Sequence, residues 1–155
     1  MSQPPDPFSA PFGTLFGDFM TLATMDDGVY SYSGSAKPLE NFSLHPGSHV
    51  LHYASACFEG LKAHRQVDGS LAIFRLDDHV HRMLQSIERL RMRPPEFDLL
   101  RTMIIDAVEA NASFTPDPPG SLYIRPTMIG TLLNIGAAAA PSNTGLLYVL
   151  NSPVG

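Results

Sequence analysis

The apolar residues of this chain change their period twice, and that double change constrains the fold more than any other feature. Before residue 75 they occur in short runs divided by turn formers, the mark of strands. Leu15 to Ala23 and Val29 to Tyr32 flank Asp26-Asp27-Gly28, and an Asp-Gly between such runs predicts a hairpin. Residues 34 to 48 are rich in turn formers. Val50 to Phe58 then reads as a strand, interrupted at Gly60 and resumed from Leu61 to Arg65. Asp68-Gly69 predicts a turn before a strand at Leu71 to Phe74. From there Val80, Met83, Leu84, Ile87 and Leu90 recur at helical spacing, with Asp77 or Asp78 placed to cap the start and Pro94-Pro95 to end it. Leu100, Met103, Ile104, Ala107, Val108 and Asn111 mark one side of a second helix. Leu122 to Thr131 returns to strand, Pro126 implying an edge or a bulge, and Leu146 to Leu150 is the last strand. Strands, two helices and strands again predict an α+β domain: an antiparallel sheet with two main helices.

Length and charge narrow the class. At 155 residues the chain is the size of one domain, and a globular chain of that length buries roughly 70% of the surface it exposes when unfolded. With 44% hydrophobic and 16% charged residues it is neither a disordered tail nor a membrane protein. No apolar run approaches the roughly 20 residues that span a bilayer. A net charge of -5 argues against a nucleic-acid partner. The single cysteine, Cys57, cannot form an internal disulfide, which fits a reducing cytoplasm. Met1-Ser2-Gln3-Pro4-Pro5-Asp6-Pro7 has no basic region followed by an apolar core, so it is not a secretory signal. Residues 1–11 read as a flexible proline-rich arm, 12–136 as the domain proper, and 137–155 as an interdomain linker with the last strand. Asn151-Ser152-Pro153-Val154-Gly155 reads as turn-like, the ending expected of a chain cut between domains.

The polar residues point to binding sooner than to metal or hydrolytic chemistry. His79 and His81, two apart in a helix, fall on different faces. His49 and His52, three apart in the expected strand, point opposite ways, and no Cys/His cluster has zinc spacing. There is no Gly-x-Ser-x-Gly elbow and no glycine-rich phosphate loop. Arg75, between a strand and a helix start, either grips a phosphate or carboxylate with its fork or pairs with Asp77 or Asp78; the residues alone favour the ion pair. Tyr123 and Arg125 share one face of their strand, with Leu122 and Ile124 on the buried face. They form either a carboxylate receptor or an exposed pair, and residue type alone does not separate the two. Tyr53 and Phe58, five apart in the expected strand, take opposite faces.

These residues lie within a series of segments: Phe12-Gly13-Thr14-Leu15-Phe16, Leu51-His52-Tyr53, Phe58-Glu59-Gly60-Leu61-Lys62-Ala63, Ile73-Phe74-Arg75, His79-Val80-His81-Arg82-Met83, Ser121-Leu122-Tyr123-Ile124-Arg125-Pro126, Ile129-Gly130 and Ser152-Pro153-Val154-Gly155. In order and spacing the series resembles the branched-chain amino acid aminotransferases, members of class IV of the pyridoxal-phosphate-dependent aminotransferases. The resemblance runs from about Phe12 to the last residue and implies the small N-terminal domain of that fold. It implies that Arg75 holds the cofactor phosphate and that Phe12 and Phe58 line the pocket for a branched aliphatic side chain. Tyr53 would reach the active site of the partner subunit in a homodimer. Arg125, supported by Tyr123, would bind the distal carboxylate of glutamate, and Ala137 would belong to the loop that crosses to the partner's pocket. The implied partners are amino acid and 2-oxo acid substrates, with the amino group passing between leucine, isoleucine or valine and 2-oxoglutarate.

Other positions depart from the family pattern. Phe19 stands where branched-chain enzymes commonly carry histidine, and His64 replaces a usual aromatic. Leu76-Asp77-Asp78-His79 is more like D-amino acid aminotransferases or aminodeoxychorismate lyases, which stay open as alternatives. In this class the cofactor is held as a Schiff base by a lysine of the larger C-terminal domain. Here the lysines are Lys37, in a polar loop, and Lys62, which matches a different family position. The expectation is therefore an anion-gripping wall of Arg75, Tyr123 and Arg125 in a chain without its catalytic lysine, inactive alone. The other expectation is a non-catalytic dimerisation or regulatory module.

Overall fold

Asp27 and Gly28, both at positive φ (47° and 76°), turn the chain between β1 (Phe19–Asp26) and β2 (Val29–Tyr32). The register pairs Asp26 with Val29, so the loop holds two residues, as the Asp-Gly pair predicts. The computed structural model of the protein describes residues 6–136 and 140–155. The chain continues through β3 (Lys37–Pro38), α1 (His49–Tyr53), β4 (Ala56–Phe58), β5 (Leu61–Arg65), β6 (Leu71–Ile73), α2 (Leu76–Arg89), α3 (Phe97–Ala110), β7 (Ser121–Gly130) and β8 (Gly145–Val154). The eight strands form one antiparallel sheet in the order β2-β1-β8-β7-β5-β6, with β3 beside β1 and β4 beside β7. This is the expected α+β architecture.

Strand alternation divides the sheet into two faces. Leu122, Ile124 and Met128 of β7, with Leu147 and Val149 of β8, are fully buried against Val80, Met83 and Ile87 of α2 and Leu100, Met103 and Ile104 of α3. Burying each large side chain contributes about 1.5–3 kcal/mol, so this layer supplies most of the stability. Tyr123, Arg125, Tyr148, Leu150 and Ser152 fall on the opposite face. No helix among the described residues is long and apolar enough to cross a membrane.

Several local expectations are corrected. Val50 to Phe58 is not one strand: His49–Tyr53 forms a helical turn, Ala54 takes a left-handed conformation (φ 50°), and only Ala56–Phe58 is extended. A short apolar run has no period that separates helix from strand, and here the i,i+4 stacking of His49 on Tyr53 (4.7 Å between ring centres) favours the turn. His49 and His52 therefore sit on one helical turn, and the opposite-face reasoning for Tyr53 and Phe58 lapses. Neither Asp77 nor Asp78 caps α2. Arg75 occupies the capping position with φ 51°, and the two acids lie in the first turn, where the helix dipole favours them. Pro94-Pro95 does not end α2; the chain leaves it sooner, through left-handed Arg91 (φ 59°). The Arg91 amide bonds the Glu88 carbonyl (2.8 Å) and the Met92 amide bonds that of Ile87 (3.3 Å). β1 starts at Phe19, not Leu15, and β8 continues past Leu150 to Val154, so Asn151-Ser152-Pro153-Val154 is strand and not turn. β7 is a central strand despite Pro126. The proline faces the break between β4 and β5, where its carbonyl accepts the Glu59 amide at 3.0 Å and an amide of its own would find no ladder partner.

Candidate substrate-binding site

On the face turned away from the helices, β7 presents Tyr123 and Arg125 two residues apart. Arg125 donates from Nε (3.0 Å) and Nη2 (2.9 Å) to the Tyr123 hydroxyl oxygen. With two N–H groups directed at that oxygen, the phenol's own proton points elsewhere and is free to donate. Phe58, at the end of β4, lies under the guanidinium, 4.1 Å from its ring centre. That contact shields one face of the cation and leaves its N–H edge open. Phe12 meets the Tyr123 ring edge-on at 5.0 Å. Phe12, Tyr123 and Arg125, with Phe16, Leu150 and Ser152, line a cavity of about 210 Å³, and Phe58 touches Arg125 from outside that lining.

The electrostatics of this wall are one-sided. Among the described residues no carboxylate forms an ion pair with Arg125. Nearby, burial raises the Tyr148 phenol, while a hydrogen bond with Thr127 and the charge of Arg125 pull it partly back. A cation without a counter-ion, beside a phenol able to donate and between aromatic walls, is suited to bind a carboxylate at the end of an apolar stem.

Two neighbours hold the wall in place. A Cβ at Gly60 would collide with the Tyr123 hydroxyl, so glycine here leaves Tyr123 its place beside Arg125. Glu59, buried beside it, accepts a forked pair of bonds from Arg82 of α2 (2.5 and 2.6 Å) and one from the Gly60 amide (3.2 Å). His79 Nδ1 stands 3.5 Å away, an electrostatic neighbour more than a formed hydrogen bond. Burial raises the Glu59 carboxyl, but the Arg82 bonds, the Gly60 amide, the Arg82 charge and His79 outweigh it and leave the group below the ordinary carboxylate range. The pair thus fixes the segment that carries Phe58.

Not every expected residue joins this site. Phe12, Phe58, Tyr123 and Arg125 come together. Arg75 does not: its exposed side chain pairs with Asp78 at 2.6 Å and lines a separate cavity of about 710 Å³ with Leu71, Ile73, Asp77, Arg101 and Val108. The single wall of Arg75, Tyr123 and Arg125 is therefore corrected to two, because Arg75 caps α2 just after β6, which lies on the far side of β5 from β7. The ion pair favoured from the residues is the contact observed. Tyr53 is also outside the cavity, stacked on His49 and donating to the Ile135 carbonyl. Ala137 lies outside the described residues. Sequence reasoning misses Phe16, Gly60, Glu59 and Ser152 as contributors; for Ser152, the alternation from Leu146, continued two residues past Leu150, is the signal that finds it.

No family model matches the chain. Branched-chain-amino-acid transaminase 1 of Bacillus subtilis (strain 168) is 37% identical over 154 residues, covering 99% of this chain and 43% of that protein. The cytosolic branched-chain-amino-acid aminotransferase of Ovis aries is 40% identical over 158 residues, covering 100% of this chain and 40% of that one. Among solved structures, a thermophile branched-chain amino acid aminotransferase with pyridoxamine 5'-phosphate superposes with a TM-score of 0.69 at 27% identity, covering 92% of this chain and 41% of its own. The chain spans about two fifths of the length of these relatives.

Proposed function

Because the sequence aligns along its whole length with branched-chain aminotransferases and spans about two fifths of theirs, we propose that it forms the lobe that recognises the substrate side chain in such an enzyme. The reaction is transfer of the amino group between leucine, isoleucine or valine and 2-oxoglutarate, with pyridoxal phosphate as cofactor. Arg125, bonded to Tyr123, flanked by Phe58 and without a carboxylate partner among the described residues, carries this reading. A leucine side chain would lie against Phe12 and the aromatic wall, and the distal carboxylate of glutamate would meet the open edge of Arg125 and the Tyr123 hydroxyl. One pocket thereby accepts an apolar and an anionic side chain in turn.

The cofactor requires a cation for its phosphate and an amine for its aldehyde. Arg75, exposed at the head of α2, suits the first requirement once it leaves Asp78. Lys37 is paired with Glu40, and neither it nor Lys62 lines either cavity. The residues of this chain alone do not fit the cofactor, and no chemical step is assigned to them. In a complete enzyme the cofactor supplies the electron sink, and the chain described here positions the side chain. The same reading carries the sheet and its two helices as the small domain, with β8 of the 137–155 segment its last strand and central to the sheet, a further domain beyond it, a cytoplasmic homodimer, and Tyr53 and Ala137 directed to the partner's pocket.

Protein expressed from the complete gene should transaminate leucine with 2-oxoglutarate. Arg125→Gln should lower kcat/KM for glutamate roughly 30-fold while changing that for leucine little. Turnover of D-alanine or aminodeoxychorismate without leucine would overturn the reading in favour of the other class IV chemistries.

A further inference from the structure

Ser152 is the direct partner of Tyr123 across the β7–β8 ladder, so both side chains rise from the same face of the sheet. It lines the cavity of Phe12, Tyr123 and Arg125 and is only 5% exposed. Its Oγ is buried and has no hydrogen-bond partner among the described residues. A buried hydroxyl left unmet is destabilising, a penalty a strand position does not require when alanine or valine would fit the same pleat. The surrounding groups indicate what would satisfy it. Arg125 offers only N–H donors, and the Tyr123 oxygen already receives two of them, so neither neighbour accepts the Ser152 proton, whereas an oxygen of a molecule in the cavity would. A carboxylate gripped by Arg125 and Tyr123 has oxygen lone pairs to spare on the β8 side.

We infer that Ser152 is a third donor to the substrate's distal carboxylate, a specificity-determining residue that favours dicarboxylate over aliphatic substrates. The inference rests on the proposed aminotransferase reading and deepens it. When leucine occupies the cavity the hydroxyl has no acceptor in the substrate, so its contribution is confined to the glutamate and 2-oxoglutarate half of the reaction. The Cys57 thiol, by contrast, is raised to about 11 by burial and does not line this cavity.

The test uses enzyme expressed from the complete gene, with Ser152→Ala and the nearly isosteric Ser152→Cys, whose thiol is a weak donor. Both variants should raise KM for glutamate and 2-oxoglutarate about tenfold, with KM for leucine and the melting temperature close to those of the unchanged enzyme. A purely structural role would shift both KM values and the melting temperature together, and would spare Ser152→Cys; that pattern, or no change in the dicarboxylate KM, overturns the assignment. Loss of leucine transamination in the unchanged enzyme would instead sink the function on which the assignment rests, and the assignment with it.

Discussion

At the scale of single residues the site depends on very short distances. Gly60 is the clearest case, because a methyl group there would enter the space of the Tyr123 hydroxyl. Gly60→Ala should push Tyr123 off Arg125 and weaken dicarboxylate binding about tenfold, measured as KM for glutamate, while the protein stays folded. The Glu59–Arg82 pair makes a second, pH-dependent prediction. Glu59 titrates below its ordinary range in the folded protein, so its stabilising contribution is complete above the unfolded value of about 4.3 and is lost as pH falls through the lowered one. The melting temperature of Arg82→Met should therefore trail that of the unchanged protein most above about pH 5, with the gap closing in acid. A gap that is constant across this range would show that the pair does not hold the charge on Glu59.

The elements show which parts of the fold the sequence carries openly. Hairpin, helix stripes and strand alternation are local signals: Asp27-Gly28, the Val80–Ile87 and Leu100–Val108 stripes, and the shared face of Tyr123 and Arg125 could all be read without the fold. Features set by contacts distant in sequence could not. The turn at His49–Tyr53, besides its own ring contact, is anchored by the His49 amide on the distant Leu132 carbonyl, and Pro126 is tolerated in a central strand because its neighbour breaks at Glu59. Asn111 belongs with these. It continues an apolar stripe, yet it is fully buried as the polar clamp between α3, β1 and β8. Its Nδ2 donates to the Phe19 and Ala107 carbonyls and to Asn151 Oδ1, and its Oδ1 accepts the Phe19 amide. Asn111→Leu should cost about 3 kcal/mol in chemical denaturation by leaving those groups unmet, against less than about 1 kcal/mol if the clamp is dispensable.

Across the whole molecule, helices on one face of the sheet leave the other for binding. That second face gathers Tyr123 and Arg125 from β7, Leu150 and Ser152 from β8, and Phe58 from β4, around a cavity that Phe12 reaches from the segment before β1. The separation of Arg75 follows from the same strand order, since β6 lies at the sheet edge and β5 stands between it and β7. Sequence spacing along the chain could not reveal that separation, because it depends on which strands are neighbours. The central claim is that Arg125 is an anion receptor held ready by Tyr123. Titrating the 155-residue chain with glutarate while following the Arg125 Nε–H signal by nitrogen-15 NMR tests it most directly. The predicted result is a saturable shift that isocaproamide, a neutral amide of similar reach, does not produce and Tyr123→Phe weakens. An Arg125 signal indifferent to glutarate, or one shifted equally by the neutral amide, would contradict the claim.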